Sequence, residues 1–278
     1  MIRNYNFSTY DPDNFSSYSL FKPDSILKVY RIVSVLFLYL FLDVLTPFNT
    51  SILSAQTTPT SFISGKFDPA IHPDFVEIIK PHAEKVGMYL QKDAYQAFIE
   101  MYKEAKKSGV NLKIISATRT FEDQKRIWEN KWNGKVTLSN GKKADQAYPN
   151  PKERAQKILE YSSMPGTSRH HWGTDIDLNA LNNTWFESGE GAKLYQWMLI
   201  NASKFGFCRP YTSKDSVRPH GYNEEKWHWS YMPIAGKITS EIKLNFSESD
   251  IADFDGCEQA IPLQIVDHYM LGINQSCF

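Results

Sequence analysis

The sequence predicts an α+β fold, and three observations carry that class. Helical and strand-like segments are mixed without the regular βαβ alternation of a parallel sheet. Tyr95, Phe98, Ile99 and Tyr102 recur at the i, i+3, i+4, i+7 spacing of one helix face. Residues 227–232 alternate in the aromatic manner of a half-buried strand. No internal repeat breaks this pattern.

Taken in order, residues 32–42 are apolar apart from Ser34 and are preceded by Lys22, Lys28 and Arg31. Asp43 and Pro47 close the run, and Ser54 and Ala55 supply a small-residue exit. That order matches a secretory signal. The run is short of the roughly 20 apolar residues a membrane span needs. Residues 1–55 are therefore expected to be a secretion signal, with an N-terminal membrane anchor as the alternative, and the remainder is expected to be exported to the periplasm or cell envelope. The Thr-, Ser- and Pro-rich stretch 56–65 reads as a linker, leading in through residue 84. A helix is predicted over 93–108 with Asp93 as its N-cap and Gly109 as its stop. A strand follows at 112–117 and a second helix at 121–132, with Trp128 and Trp132 stacked one turn apart. Residues 133–151 read as a loop, 152–161 as a helix, 174–178 as a short strand and 190–205 as a helix. Residues 236–278 read as a separate tail carrying two of the three cysteines.

The 31 basic and 31 acidic residues cancel. That balance excludes nucleic acid as the main partner, because phosphate binding needs a basic face. A charged content of 22% beside 14% aromatic residues excludes a disordered chain and a coiled coil. Three cysteines are too few for a disulfide scaffold. In an oxidising compartment Cys257 and Cys277 are the expected pair, leaving Cys208 as a buried thiol.

The chemistry concentrates in two segments. Residues 165–177 contain Ser168, His170, His171, Gly173, Asp175 and Asp177; residues 224–229 contain Glu224, Glu225, Trp227 and His228. Two imidazoles and one carboxylate can hold zinc and leave a coordination position open for water. A nearby carboxylate can then act as the base. Composition does not choose among the donors. His170 and His171 are adjacent and point apart on an extended chain, whereas Asp175 and Asp177 share a strand face.

These segments resemble the signature of the VanY-type D-alanyl-D-alanine carboxypeptidases, zinc peptidases grouped with lysostaphin-like and hedgehog-like folds. That family shows Ser-x-His-x-x-Gly-x-Ala-x-Asp followed by Glu-x-Trp-His. Ser168, His170, Gly173 and Asp177 match the first pattern; Glu225, Trp227 and His228 match the second. Asp175 stands where the family has alanine. Upstream, residues 116–120 and Gln124 resemble the family's Ser-Gly-Tyr-Arg-Ser stretch and its following glutamine. The resemblance covers residues 85–235 and implies a small antiparallel sheet flanked by helices, with one zinc ion on the sheet face.

It implies further that His170, Asp177 and His228 are the zinc ligands. Glu225 would be the base that activates water, and Arg119 would bind a substrate carboxylate or steady the oxyanion. Ser168 and Gln124 would help hold the peptide. The implied activity is removal of the terminal D-Ala from peptidoglycan stem peptides; export is expected from the N-terminal segment, and a monomer is the expected state. The same site could serve a D,D-dipeptidase, an L,D-carboxypeptidase or a peptidoglycan endopeptidase, and a wall-binding module without catalysis is the rival from another class. Glu225 in register favours an enzyme, since a binder has no use for a base. His72, His82, His220 and His268 are read as ordinary surface or core residues, and His171 as packing or as a support behind the metal ligands. Asp175 is read as a substitute ligand or a solvated strand residue, and Glu224 as solvated.

Overall fold

A computed structural model describes residues 58–278, so the expected signal or anchor at 1–55 lies outside the described residues. Among the described residues, β1 (Phe75–Glu77) and β2 (Tyr89–Gln91) pair as an antiparallel hairpin. β3 (Ile114–Ser116), β4 (Asp175–Leu178), β5 (Phe207–Cys208) and β6 (His228–Tyr231) form a second antiparallel sheet in the order β3-β4-β6-β5. The longer helices are α1 (Lys92–Lys107), α2 (Phe121–Trp132), α3 (Pro151–Ile158), α4 (Gly189–Asn201) and α5 (Met232–Asn245). The class is α+β, with helices flanking a small antiparallel sheet.

The register of the central pair sets the two faces of that sheet. Asp175 lies opposite Ser230, Ile176 opposite Trp229, and Asp177 opposite His228. Strand side chains alternate between faces, so Asp175, Asp177, His228 and Ser230 share one side. Ile176, Leu178 and Trp229 share the other, packed with Phe98 and Met101 of α1 and Leu194 and Met198 of α4. These strands have few ladder bonds, each worth about 1 kcal/mol net. Burying a side chain such as Ile176 contributes about 2 kcal/mol, so packing more than pairing holds the sheet. The polar face is closed by a second core built from Trp128 and Trp132 of α2, Ile158 of α3, and Ile238 and Ile242 of α5.

Helix ends differ from expectation where tertiary contacts supply the cap. α1 begins at Lys92, and Asp93 lies in its first turn instead of at its N-cap. The Lys92 amide donates to the Asp74 carbonyl and the Gln91 amide to the Gly173 carbonyl, so orphan N–H groups are satisfied from outside the helix. α2 has a local device. Thr120 Oγ1 accepts from the Asp123 amide and Asp123 Oδ2 from the Thr120 amide, a capping box that starts the helix directly after Arg119. The predicted loop 133–151 contains a helical turn, Ala144–Ala147, and Asn150 caps α3 with Pro151 at its first position. Trp128 and Trp132 stack as expected, with ring centroids 6.0 Å apart.

Two expectations for the termini are corrected. Residues Thr60–Ile63 of the expected linker form a helical turn whose Ile63 carbonyl accepts from Trp172 Nε1. Residues 236–278 are not a separate appendage: Ile251, Phe254, Leu263 and Met270 enter the same core as Trp128 and Trp132. The expected Cys257–Cys277 bridge is also replaced. Cys208 of β5 bonds Cys277 with a Cα–Cα distance of 5.8 Å, and Cys257 is free. Sequence proximity favoured the wrong pair because folding returns the C-terminus to the sheet edge. Closing a 69-residue separation stabilises by about 4 kcal/mol on chain entropy.

Candidate metal centre

β4 and β6 deliver Asp177 and His228 as directly opposed neighbours. His170 comes from the 3₁₀ turn Arg169–Trp172, which Ser168 caps by accepting from the His170 amide. The turn ends at Gly173, whose φ of 69° suits glycine. A Cβ there would lie 2.3 Å from the Phe75 ring, so the β1–β2 hairpin can close over the turn only without a side chain. His170, Asp177 and His228 are all buried, and each offers a donor atom within 4.8 Å of the others.

Hydrogen bonding aims the imidazole lone pairs. His170 Nδ1 lies 2.8 Å from the Ala117 carbonyl, so it carries the proton and donates. His170 Nε2 is buried without a hydrogen-bond partner. His228 Nε2 lies 2.8 Å from Asp175 Oδ2 and donates to it. His228 Nδ1 then faces Asp177 Oδ1 at 3.2 Å and Glu225 Oε2 at 3.4 Å. Asp177 Oδ1 is also an orphan. The unpartnered His170 Nε2 and Asp177 Oδ1 thus lie near His228 Nδ1, and each imidazole is oriented through its other nitrogen, as metal-binding histidines are. The residues fit a zinc ion with a fourth position open.

The surrounding charge suits a cation. Burial opposes ionisation of Asp177, but His170 and His228 outweigh it and hold the carboxyl well below its usual range. Burial also works against charge on His228, yet hydrogen bonds to Asp175, Asp177 and Glu225 raise its pKa well above the ordinary value. Glu225 is pushed up by burial, partly offset by His228.

Asp175 is neither solvated nor within the three-donor set. It is fully buried, and besides His228 it accepts from Arg169 Nε at 3.1 Å, Ser230 Oγ at 2.7 Å and Thr174 Oγ1 at 2.7 Å. Arg169 is buried too and donates onward to Thr239 and Ser230. Burial opposes the Asp175 charge, but Arg169 and His228 hold the carboxyl far below its usual range. Sequence reading missed this role. The available signal was Arg169 in the same motif, one short turn from an acidic residue on the ligand-bearing strand face.

His171 packs away from the cluster. Its Nδ1 donates to the Arg119 carbonyl at 2.7 Å and its Nε2 accepts from the Gly166 amide at 3.1 Å. Both bonds require one neutral tautomer, and burial holds its pKa down to about 3.

Arg119 reaches the site from the end of β3. It donates to Gln124 Oε1 at 2.9 Å, its outer nitrogen lies 3.8 Å from Asp177 Oδ2, and its Nε has no partner. Gln124 is fully buried, and its amide nitrogen donates to the Ser163 carbonyl. One end of that amide thus holds Arg119 and the other is anchored on Ser163. Ser168 borders a recess with Arg119, His170, Glu225 and His228. Glu224 turns away and pairs with Arg209 at 2.9 Å. His82 bonds the Tyr95 hydroxyl, His72 packs on Phe75, and His220 stacks on His268, all outside the cluster. A cleft of about 600 Å³ opens beside the cluster, lined by Arg119, Lys131, Asp177, Glu225 and Trp227. Lys131 also escaped the sequence reading, although it stands seven residues after Gln124 on the same helix face.

A small antiparallel sheet carrying a buried His-Asp-His cluster with an adjacent glutamate has the donor set of a mononuclear metal site. Residues 87–234 match the family model VanY, D-alanyl-D-alanine carboxypeptidase, and the chain belongs to that family. It is 28% identical over 152 residues to a D-alanyl-D-alanine carboxypeptidase of Enterococcus faecalis, covering 54% of this chain and 48% of that protein. It is 25% identical over 180 residues to a D-alanyl-D-alanine carboxypeptidase of Enterococcus faecium, covering 64% and 49%. The chain thus spans about half the length of these relatives. Among solved structures it is similar to VanYB in complex with D-alanine-D-alanine, at 25% identity, 56% and 79% coverage and a TM-score of 0.42.

Proposed function

We propose that this protein is an exported zinc D,D-carboxypeptidase that removes the terminal D-Ala from peptidoglycan stem peptides. The observation that carries the reading is the convergence of His170, Asp177 and His228, each with a donor atom within 4.8 Å of the others, with Glu225 Oε2 3.4 Å from His228 Nδ1. Zinc held there would polarise a carbonyl and ease deprotonation of water.

The chain's own groups have separable tasks. Glu225 takes the proton from the attacking water, and its raised pKa brings it nearer to operating pH, where proton transfer is most effective. As the C–O bond forms and the peptide C–N bond breaks, Glu225 returns that proton to the departing amine of D-Ala. Arg119 lines the cleft and offers its guanidinium to an oxygen of the substrate, and Gln124 fixes that guanidinium from behind. Trp227 walls the cleft. The Cys208–Cys277 disulfide supports an oxidising, extracytoplasmic location. Among the described residues no helix is long and apolar enough to cross a membrane.

The test is digestion of purified muropeptides by zinc-loaded protein, with and without chelator, read by mass spectrometry. The reading expects each pentapeptide stem to lose one alanine residue, and chelator to stop it. Loss of a dipeptide, or cleavage only of cross-linked stems, would replace it.

A further inference from the structure

We propose that Lys131 is a specificity-determining residue of the cleft, its ammonium binding a substrate carboxylate that Arg119 does not hold. The inference rests on the carboxypeptidase reading above and extends it to a second anionic contact.

Lys131 sits in the last turn of α2 and lines the cleft with Arg119 and Glu225. Its Nζ donates to Ser162 Oγ. Among the described residues no carboxylate lies within 4.0 Å of that nitrogen. Burial lowers its pKa, Arg119 adds to the effect, and Glu225 opposes it. An ammonium partly withdrawn from water, with only a neutral hydroxyl as its close partner, is under-compensated. An anion entering the cleft would supply the missing compensation, and peptide substrates of a carboxypeptidase are anions.

Helix geometry supports a shared task with Arg119. Gln124, Ile127 and Lys131 fall at i, i+3 and i+7 on one face of α2. Gln124 holds Arg119, while Ile127 and Lys131 line the cleft. The Lys131 backbone lies roughly 10 Å beyond Gln124 along the helix axis. Helical side chains lean toward the N-terminus, which brings the ammonium back along the cleft toward Arg119. Two cations along one cleft wall fit a peptide bearing two carboxylates no more than about three extended residues apart. A stem peptide offers two sources for the one at Lys131: the terminal carboxylate, with Arg119 then left to the scissile carbonyl, or an acidic group upstream.

The test uses zinc-loaded protein and three synthetic stem pentapeptides: the free acid, its C-terminal amide, and a form with the upstream acidic groups amidated. KM and kcat are measured for wild type, Lys131→Met and Lys131→Arg. Calorimetry of the same peptides on Glu225→Gln, with and without Lys131→Met, gives binding without turnover. Lys131→Met should raise KM for the free acid by roughly 10- to 100-fold with kcat changed far less, and Lys131→Arg should recover most of it. The amide that removes the partner carboxylate should raise the wild-type KM by a similar factor and abolish sensitivity to Lys131→Met, which identifies the source. An unchanged KM, or equal losses on all three peptides, overturns the assignment. Wild-type protein that turns over none of the peptides sinks the carboxypeptidase reading instead. In that case calorimetry decides on Lys131: acid binding unaffected by Lys131→Met overturns it, and selectively weakened binding upholds it.

Discussion

Asp175 Oδ2 accepts a 2.8 Å hydrogen bond from His228 Nε2, and the same carboxylate is clasped by Arg169. The bond turns Nδ1 of His228 into the cluster, where His170 Nε2 and Asp177 Oδ1 are unpartnered. Asp175 thereby acts at one remove from the metal centre, through the ring it orients.

Asp175→Asn should weaken zinc binding by roughly 10- to 100-fold, the usual effect of losing an outer partner of a metal-bound histidine. It should also destabilise the fold, because Arg169 would be left buried without its counter-ion, a loss of about 3–5 kcal/mol when one partner of a buried pair is removed. Zinc affinity by chelator competition and denaturant unfolding measure the two effects separately. Wild-type affinity in a folded variant would remove Asp175 from this role.

His228→Ala should strip zinc from the purified protein, whereas Glu225→Gln should keep it while cutting turnover by about 10²- to 10⁴-fold. Metal analysis beside muropeptide turnover distinguishes them. A Glu225→Gln protein of full activity would show that another group is the base.

The pH profile of kcat/KM should fall on the acid side as Glu225 takes up a proton; burial raises its pKa, and a bound zinc ion would oppose that shift. The group must be ionised to accept a proton, so activity is present above that pKa and lost below it. A profile with no acid limb, or one unaltered in Glu225→Gln, would contradict the assignment.

His171 should make stability pH-dependent. Its pKa is about 3 when folded and about 6.5 when unfolded, so between those values the unfolded chain binds the extra proton. Stability is then complete above about pH 6.5 and falls by about 1.4 kcal/mol per unit as the pH drops toward 3. His171→Gln should be less stable at neutral pH but flatter across this window in urea titrations. An unchanged slope would mean that other groups carry the acid sensitivity.

Reduction, or Cys277→Ser, should lower stability by as much as about 4 kcal/mol. Cys257→Ser should leave unfolding nearly unchanged, because Cys257 is free. Non-reducing peptide mapping provides the direct check on the Cys208–Cys277 bond.

The sequence alone determined what local rules encode. The 3.6-residue period gave α1, Thr120 and Asp123 made the start of α2, and the two spaced motifs brought the His-Asp-His and glutamate chemistry into view. Local geometry did not distinguish the two aspartates, since both lie on one strand face; the family resemblance singled out Asp177, and the physical difference between them arises across the sheet. Only pairing of β4 with β6 set Asp177 against His228, and only the burial of Arg169 made Asp175 its partner. The same limit explains the cysteines and the C-terminal residues. A chain end 69 residues from Cys208 meets β5 through apolar packing distributed over the whole core, and no short-range pattern records where that packing leads.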